Sequence, residues 1–221
     1  MGYQWRFDLA IRYIPFLLQG VKMTILITLI SMGIGMVIGL LAALVRLSKV
    51  RVLHPLATFY VDFFRSTPTL VQLIWVYYCL PIITGRSFSA FASGMIALSL
   101  YVGSFLAEIY RAGILSISKG QTEAALALGM TGGQAMRRII LPQAITRMLP
   151  PMGSMFISLF KESSLASAIA VAELMWQAQA LIAFLFRPME VFTLTALLYL
   201  VLTYPQSLWV NYLHRRFLPE R

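Results

Sequence analysis

The chain has 221 residues, 59% hydrophobic and only 12% charged, with a net charge of +10. Soluble domains carry about a quarter charged residues, so an ordinary water-soluble globule is excluded and a polytopic membrane protein is expected. The positive balance does not imply nucleic acid, because the cations stand in short clusters between apolar runs, as the positive-inside rule distributes them.

The N-terminal stretch Met1 to Gly20 does not read as a signal peptide. Arg6, Asp8 and Arg12 interrupt it, and no small-residue cleavage site follows an apolar core. Met23 to Val45 carries no charge and is long enough to cross a bilayer once. Gly33, Gly35 and Gly39 lie within it, and small residues at helix-neighbour spacing allow close helix packing. Arg46, Lys49 and Arg51 form a short basic loop. A second span starts near His54 and is expected to bend around Thr67-Pro68, since proline cannot donate the helical hydrogen bond. Its uncharged part is Ser66 to Gly85. The third span runs from Ser87 to Ala107. A polar loop from Glu108 to Arg147 follows, then a fourth span from Leu149 to Val171 and a fifth from Glu190 to His214. Between the last two, Ala172 to Pro188 is apolar but carries Glu173 and Arg187, which predicts an interfacial or re-entrant helix. The expected fold is an all-α integral membrane protein of about five transmembrane helices, forming one domain over residues 1–221.

Charge orients the bundle. One side collects Arg46, Lys49, Arg51, Arg111, Lys119, Arg137, Arg138, Arg147, Arg215, Arg216 and Arg221. The other holds Arg6, Arg12, Lys22, Arg86 and Arg187. The excess places the long loop and C-terminus in the cytoplasm and the N-terminus outside.

The loop is built for contact. Lys119-Gly120 reads as a break, and Gln121 to Leu128 is rich in helix formers such as Ala124, Ala125 and Ala127. Gly129 then ends the helix as a C-terminal glycine does. A second helix is expected from Gly133 to Ile140, stopped by Pro142. Small side chains let a partner approach closely, Glu123 offers a charge, and structureless loops this long are uncommon without a function.

Glu123, Ala124, Ala125, Gly129, Ile139, Leu141 and Pro142 stand at the spacing Glu-Ala-Ala, three residues, Gly, nine residues, Ile, one residue, Leu-Pro. That pattern resembles the signature of permease subunits of bacterial ATP-binding-cassette importers. Phe64-Arg65-Ser66-Thr67-Pro68, the run Ala107 to Ile114 and Lys161-Glu162-Ser163-Ser164-Leu165 resemble the branch that imports polar amino acids, and the likeness covers almost the whole chain. It implies a type I importer permease fold in the bacterial inner membrane. The loop helix between spans 3 and 4 becomes the coupling helix, seated in a groove of an ATPase subunit. It also implies two ATPase subunits carrying ATP and magnesium, a second permease (a copy or a sister chain), and a periplasmic or lipid-anchored solute-binding protein. The cargo is a polar amino acid, or an amino-acid derivative such as an opine.

Charges inside spans are expensive and usually functional. Asp62 and Arg65 lie three residues apart and are expected to form a structural ion pair. Lys161 and Glu162 fall near the middle of the fourth span, beside Ser163 and Ser164. Together they supply a cation for an amino acid's carboxylate and an acceptor for its ammonium. Ser154, Gly103 and Ser104 complete the candidate substrate path. Relatives often read Gly-Asn-Glu where this chain has Gly153-Ser154-Met155. The missing carboxylate disfavours a cationic cargo, unless a sister subunit supplies the acid. Glu108, close to Arg111, is expected to form an end-of-helix salt bridge.

No Gly-rich phosphate loop is present, so the chain is not expected to hydrolyse ATP or bind a cofactor itself. His54, His214 and Cys79 make no metal constellation, and no catalytic triad is visible. The competing class is a self-sufficient channel or ion-coupled carrier, which calls for paired discontinuous helices and inverted repeats. Neither is evident in the sequence.

Overall fold

The computed structural model describes residues 3–48 and 52–217. Lys49, Arg51 and Arg221, which enter the charge asymmetry, lie outside them. The described chain is helical throughout, with no strand. A short α1 (Phe7–Ile11) precedes α2 (Ile14–Leu47), α3 (Leu53–Ser66) and α4 (Thr69–Thr84). Then come α5 (Ala90–Leu115), α6 (Lys119–Ala127), α7 (Gly132–Ala135) and α8 (Leu141–Glu162), with α9 (Leu174–Leu185) and α10 (Pro188–Phe217) closing the chain. Three helices are long and apolar enough to cross a membrane alone, and two bent pairs bring the number of spans to as many as 5.

α2 starts well before Met23. Lys22 lies within it but is exposed near its outer end, where the long stem can carry the ammonium towards water. Its inner face is a seam of small side chains. Gly20, Thr24, Thr28, Ser31, Gly35, Gly39 and Ala42 recur every three or four residues and are all buried. From Ser31 on, this seam packs on α5, the most extensive helix pair in the described residues, while Gly20 and Thr24 face α9. A Cβ on Gly39 would stand 2.7 Å from the carbonyl oxygen of Gly103, and one on Gly35 would stand 2.3 Å from Val102. Gly33 faces open space on the far side and takes no part.

The bend expected at Thr67-Pro68 is an elbow of 110° between α3 and α4. Such a turn frees backbone carbonyls, which lipid cannot satisfy. The buried Gln72 amide answers them. Its Nε2 donates to the carbonyls of Phe64 and Thr67, both at 3.0 Å, and to Thr67 Oγ1 at 2.7 Å.

The long loop is shorter than its polarity suggests. Residues 108–115 are the last two turns of α5, and residues 141–147 are the first two turns of α8. Polar residues mark where a helix leaves the apolar slab, not where it ends. Pro142 does not stop a helix either. It stands in the first turn of α8, directly after a π-turn, Met136–Ile140. Pro142 has no N–H for the Arg138 carbonyl, and the wider turn absorbs the mismatch. The same device recurs at Trp75–Cys79, just before Pro81.

α8 ends at Glu162, so Lys161 and Glu162 close a helix beside the break of a bent helix pair. A 3-10 turn, Ser163–Ile169, follows, and Ala170 takes a left-handed φ of 62°. α9 then continues at a bend of 48°. The segment Ala172 to Pro188 is thus largely helical and forms the second arm of a bent pair with α8. Glu173 caps α9 and is fully buried. Its carboxylate accepts from the N–H groups of Met175 (2.9 Å) and Trp176 (2.7 Å) and from the Tyr199 hydroxyl of α10 (3.0 Å). Thr24 Oγ1 of α2 accepts from Leu174 N–H at 3.1 Å. The break is thereby tied to both neighbouring helices.

Gly39→Val should destabilise the protein by about 1–3 kcal/mol, because the added atoms meet backbone that cannot swing aside. Gln72→Leu should cost about 1–3 kcal/mol by orphaning the elbow carbonyls. Thermal unfolding of the purified protein in detergent checks both.

Candidate coupling loop and polar break

The connection between α5 and α8 is a built surface. α6 begins at Lys119 behind an extended Ser118, so Lys119-Gly120 opens the helix and does not interrupt it. At its other end Gly129 adopts φ +78°. Met130 N–H bonds the Ala125 carbonyl at 3.1 Å, and Gly129 N–H bonds the Leu126 carbonyl at 2.9 Å. This is the paired closure that a left-handed glycine permits at a helix end. Two residues on, Thr131 and Gln134 form a reciprocal capping box. α6 thus has a locally determined stop, and α7 a locally determined start.

The motif residues divide by role. Ala125 is buried and faces the π-turn Met136–Ile140, against which α6 packs. Glu123 and Ala124 are exposed, as are Leu141 and Pro142 at the foot of α8, while Ile139 is half-buried. The sequence reading missed Leu126 and Leu128, which are 50% and 82% exposed. Two bare leucines on so short a polar connection are a signal for a covering partner, and they flank the glycine already singled out.

The second site is the break after α8. Ser163 is buried and its hydroxyl donates to the Phe160 carbonyl, while the Ser164 hydroxyl donates to the Lys161 carbonyl, each at 2.7 Å. These serines satisfy the break itself. α4 packs along the 3-10 turn, and Tyr101 of α5 lies within electrostatic reach of Glu162. Lys161 is exposed and Glu162 half-buried, and among the described residues neither forms an ion pair. Ser154 is exposed one face round, whereas Met155 packs in the main core. Gly103 and Ser104 do not join this group. Gly103 lies between α2 and Tyr60, and Ser104 donates to the Tyr101 carbonyl at 2.7 Å, both enclosed by helices.

The expected Asp62–Arg65 ion pair does not form. Both residues are exposed, and the Arg65 guanidinium lies over the Phe105 ring at 5.4 Å from its centroid. A cation over an aromatic face competes well with a solvated carboxylate one turn away. Glu108 does pair with Arg111 at 2.5 Å, and it takes a second partner, Arg46 of α2, at 2.8 Å. A cavity at the elbow is lined by apolar residues such as Phe59, Phe63, Val71 and Trp75. Its lack of polar partners makes it unsuited to a zwitterion. The two broken helices are more than the sequence showed, and discontinuous helices also occur in carriers.

Comparison with known proteins resolves that ambiguity. The family described as "Binding-protein-dependent transport system inner membrane component" matches residues 35–219. The glutamine transport system permease protein GlnP of Escherichia coli (strain K12) is 38% identical over 204 residues, covering 92% of this chain and 93% of that protein. The L-cystine transport system permease protein TcyB of Bacillus subtilis (strain 168) is 46% identical over 165 residues, 75% of this chain and 70% of TcyB. The crystal structure of an amino acid ABC transporter with histidines superposes with a TM-score of 0.92 at 36% identity, covering 97% of this chain and 100% of its counterpart. The fold, with its broken spans and short connecting helix, is therefore that of a type I importer permease, and the chain belongs to the family of binding-protein-dependent transport system inner membrane components, the permeases of ABC importers.

Proposed function

We propose that the chain is the membrane subunit of an ATP-driven importer of polar amino acids. The observation that carries this reading is α6: a nine-residue helix closed by Gly129, with Glu123, Ala124 and Leu126 on it and Leu128 at its C-cap bare to solvent. An apolar surface of that kind on a cytoplasmic face calls for a protein groove, and the resemblance names an ATPase. The chain itself would be non-catalytic, with ATP and magnesium held by two ATPase subunits. A second permease and an external solute-binding protein would complete the assembly. The basic residues at the α6 end support a cytoplasmic loop and C-terminus and an external N-terminus.

Lys161 and Glu162 support the choice of cargo. Unpaired charges at membrane depth demand water, a partner subunit or a ligand. Opposite charges on neighbouring residues of a helix end offer a zwitterion both partners it needs. Relatives named for glutamine and cystine agree with a polar amino acid, and Met155 in the core leaves no extra carboxylate there for a cationic side chain.

Two outcomes test this reading. Gly129→Trp forces a bulky residue to a φ of +78°, at a cost of about 1–2 kcal/mol, and places an indole beside the exposed Leu128. Uptake and substrate-stimulated ATP hydrolysis in proteoliposomes should both fall about tenfold or more, and wild-type values for both would remove the docking role. Lys161→Ala should lower uptake at limiting substrate about tenfold while the ATPase still co-purifies. Unchanged uptake would take Lys161 off the path.

A further inference from the structure

We propose that Arg147 is a positioning residue for transport. It ties the entry of the coupling loop to α8, so that movement of α6 reaches the span ending in Lys161 and Glu162. This rests on the coupling role proposed for α6.

Arg147 Nη1 donates to the Ser116 carbonyl at 2.6 Å and approaches Ser116 Oγ at 3.1 Å. Ser116 is the C-terminal cap of α5. Its carbonyl is one that the helix leaves unpaired, at the end where the backbone dipoles favour a cation. The Ser116 hydroxyl in turn donates to the Gly113 carbonyl at 2.7 Å, which fixes the acceptor in place.

Packing beneath this contact is close. A Cβ on Gly113 would lie 2.4 Å from Met148 Cγ, so the backbone of α5 and the side chain next to Arg147 are already in contact. Ile117, Ile140, Ala144 and Met148 form a buried cluster around the same point. The end of α5, the start of the loop and the foot of α8 therefore form one packed body.

The foot of α8 needs that external hold. Pro150 and Pro151 lie inside the helix, and neither can donate to the carbonyls of Thr146 and Arg147 four residues back. The ladder of α8 is interrupted where Arg147 reaches out, and the Arg147 side chain adds a tie from that turn to the end of α5. With Arg147 removed, α6 could move while the body of α8 stayed behind.

The experiment uses the complete reconstituted complex and reads substrate moved per ATP hydrolysed, with ATPase co-purification measured alongside. Arg147→Ala should lower that ratio about tenfold, as expected for one charge-assisted hydrogen bond, with the ATPase still bound. Arg147→Lys keeps a donor and should stay within about twofold of the wild type. A ratio in R147A equal to wild type would overturn the proposal, and so would an equal fall in R147K. Should R147A fail to assemble, Arg147→Met keeps the stem and its packing. It should show the same fall, and wild-type coupling in it overturns the proposal. Gly129→Trp is run in parallel: if it too leaves assembly and coupling intact, the docking role of α6 has failed, whatever Arg147 does.

Discussion

A backbone polar group freed inside an apolar slab has no water to turn to, and each break in a spanning helix must be answered from within the protein. Two breaks define this bundle, and each has its answer. At the elbow a single buried amide, Gln72, serves Phe64 and Thr67. At the outer break the Glu173 carboxylate takes two N–H groups of α9 and the Tyr199 hydroxyl, while Thr24 takes the Leu174 N–H. The chain can therefore leave helical geometry beside Lys161 and Glu162 without unravelling, and the small-residue seam between α2 and α5 brings in the helices that supply these partners.

The sequence made some of this legible and hid the rest for physical reasons. The bend at Thr67-Pro68 and the closure at Gly129 follow from residues whose backbone chemistry is restrictive by itself, and both stand in the structure. The loop ends did not, because Glu108 and Arg147 report water while still helical. Pro142 misled because a π-turn can absorb a proline that would otherwise end a helix. Asp62 and Arg65 show that spacing offers a pair without securing it, since Phe105 comes from another helix. Glu173 was visible as an isolated acid before an apolar run. Its partner Tyr199, and Thr24 which holds the next residue's N–H, lie 26 and 149 residues from it in sequence, and only packing brings them together.

The path from loop to break follows from these parts. α6 is exposed, short and closed at its C-terminal end by Gly129. It packs on the π-turn that leads into α8, and the foot of α8 is bound to α5 and weakened by its own prolines. Above that joint α8 ends at two unpaired charges, and the outer end of the break is fixed to α2 and α10. Between the foot of α8 and that fixed end lies the 3-10 turn Ser163–Ile169, followed by Ala170 in a left-handed turn.

The most direct measurement is a site-specific photocrosslink in the assembled complex. A photoreactive side chain is placed at Leu128 on the loop, and separately at Phe184 at the opposite end of the bundle, which is 68% exposed. The account predicts an adduct with the ATPase subunit from position 128 and none from position 184. An ATPase adduct from position 184, with none from position 128, would contradict it.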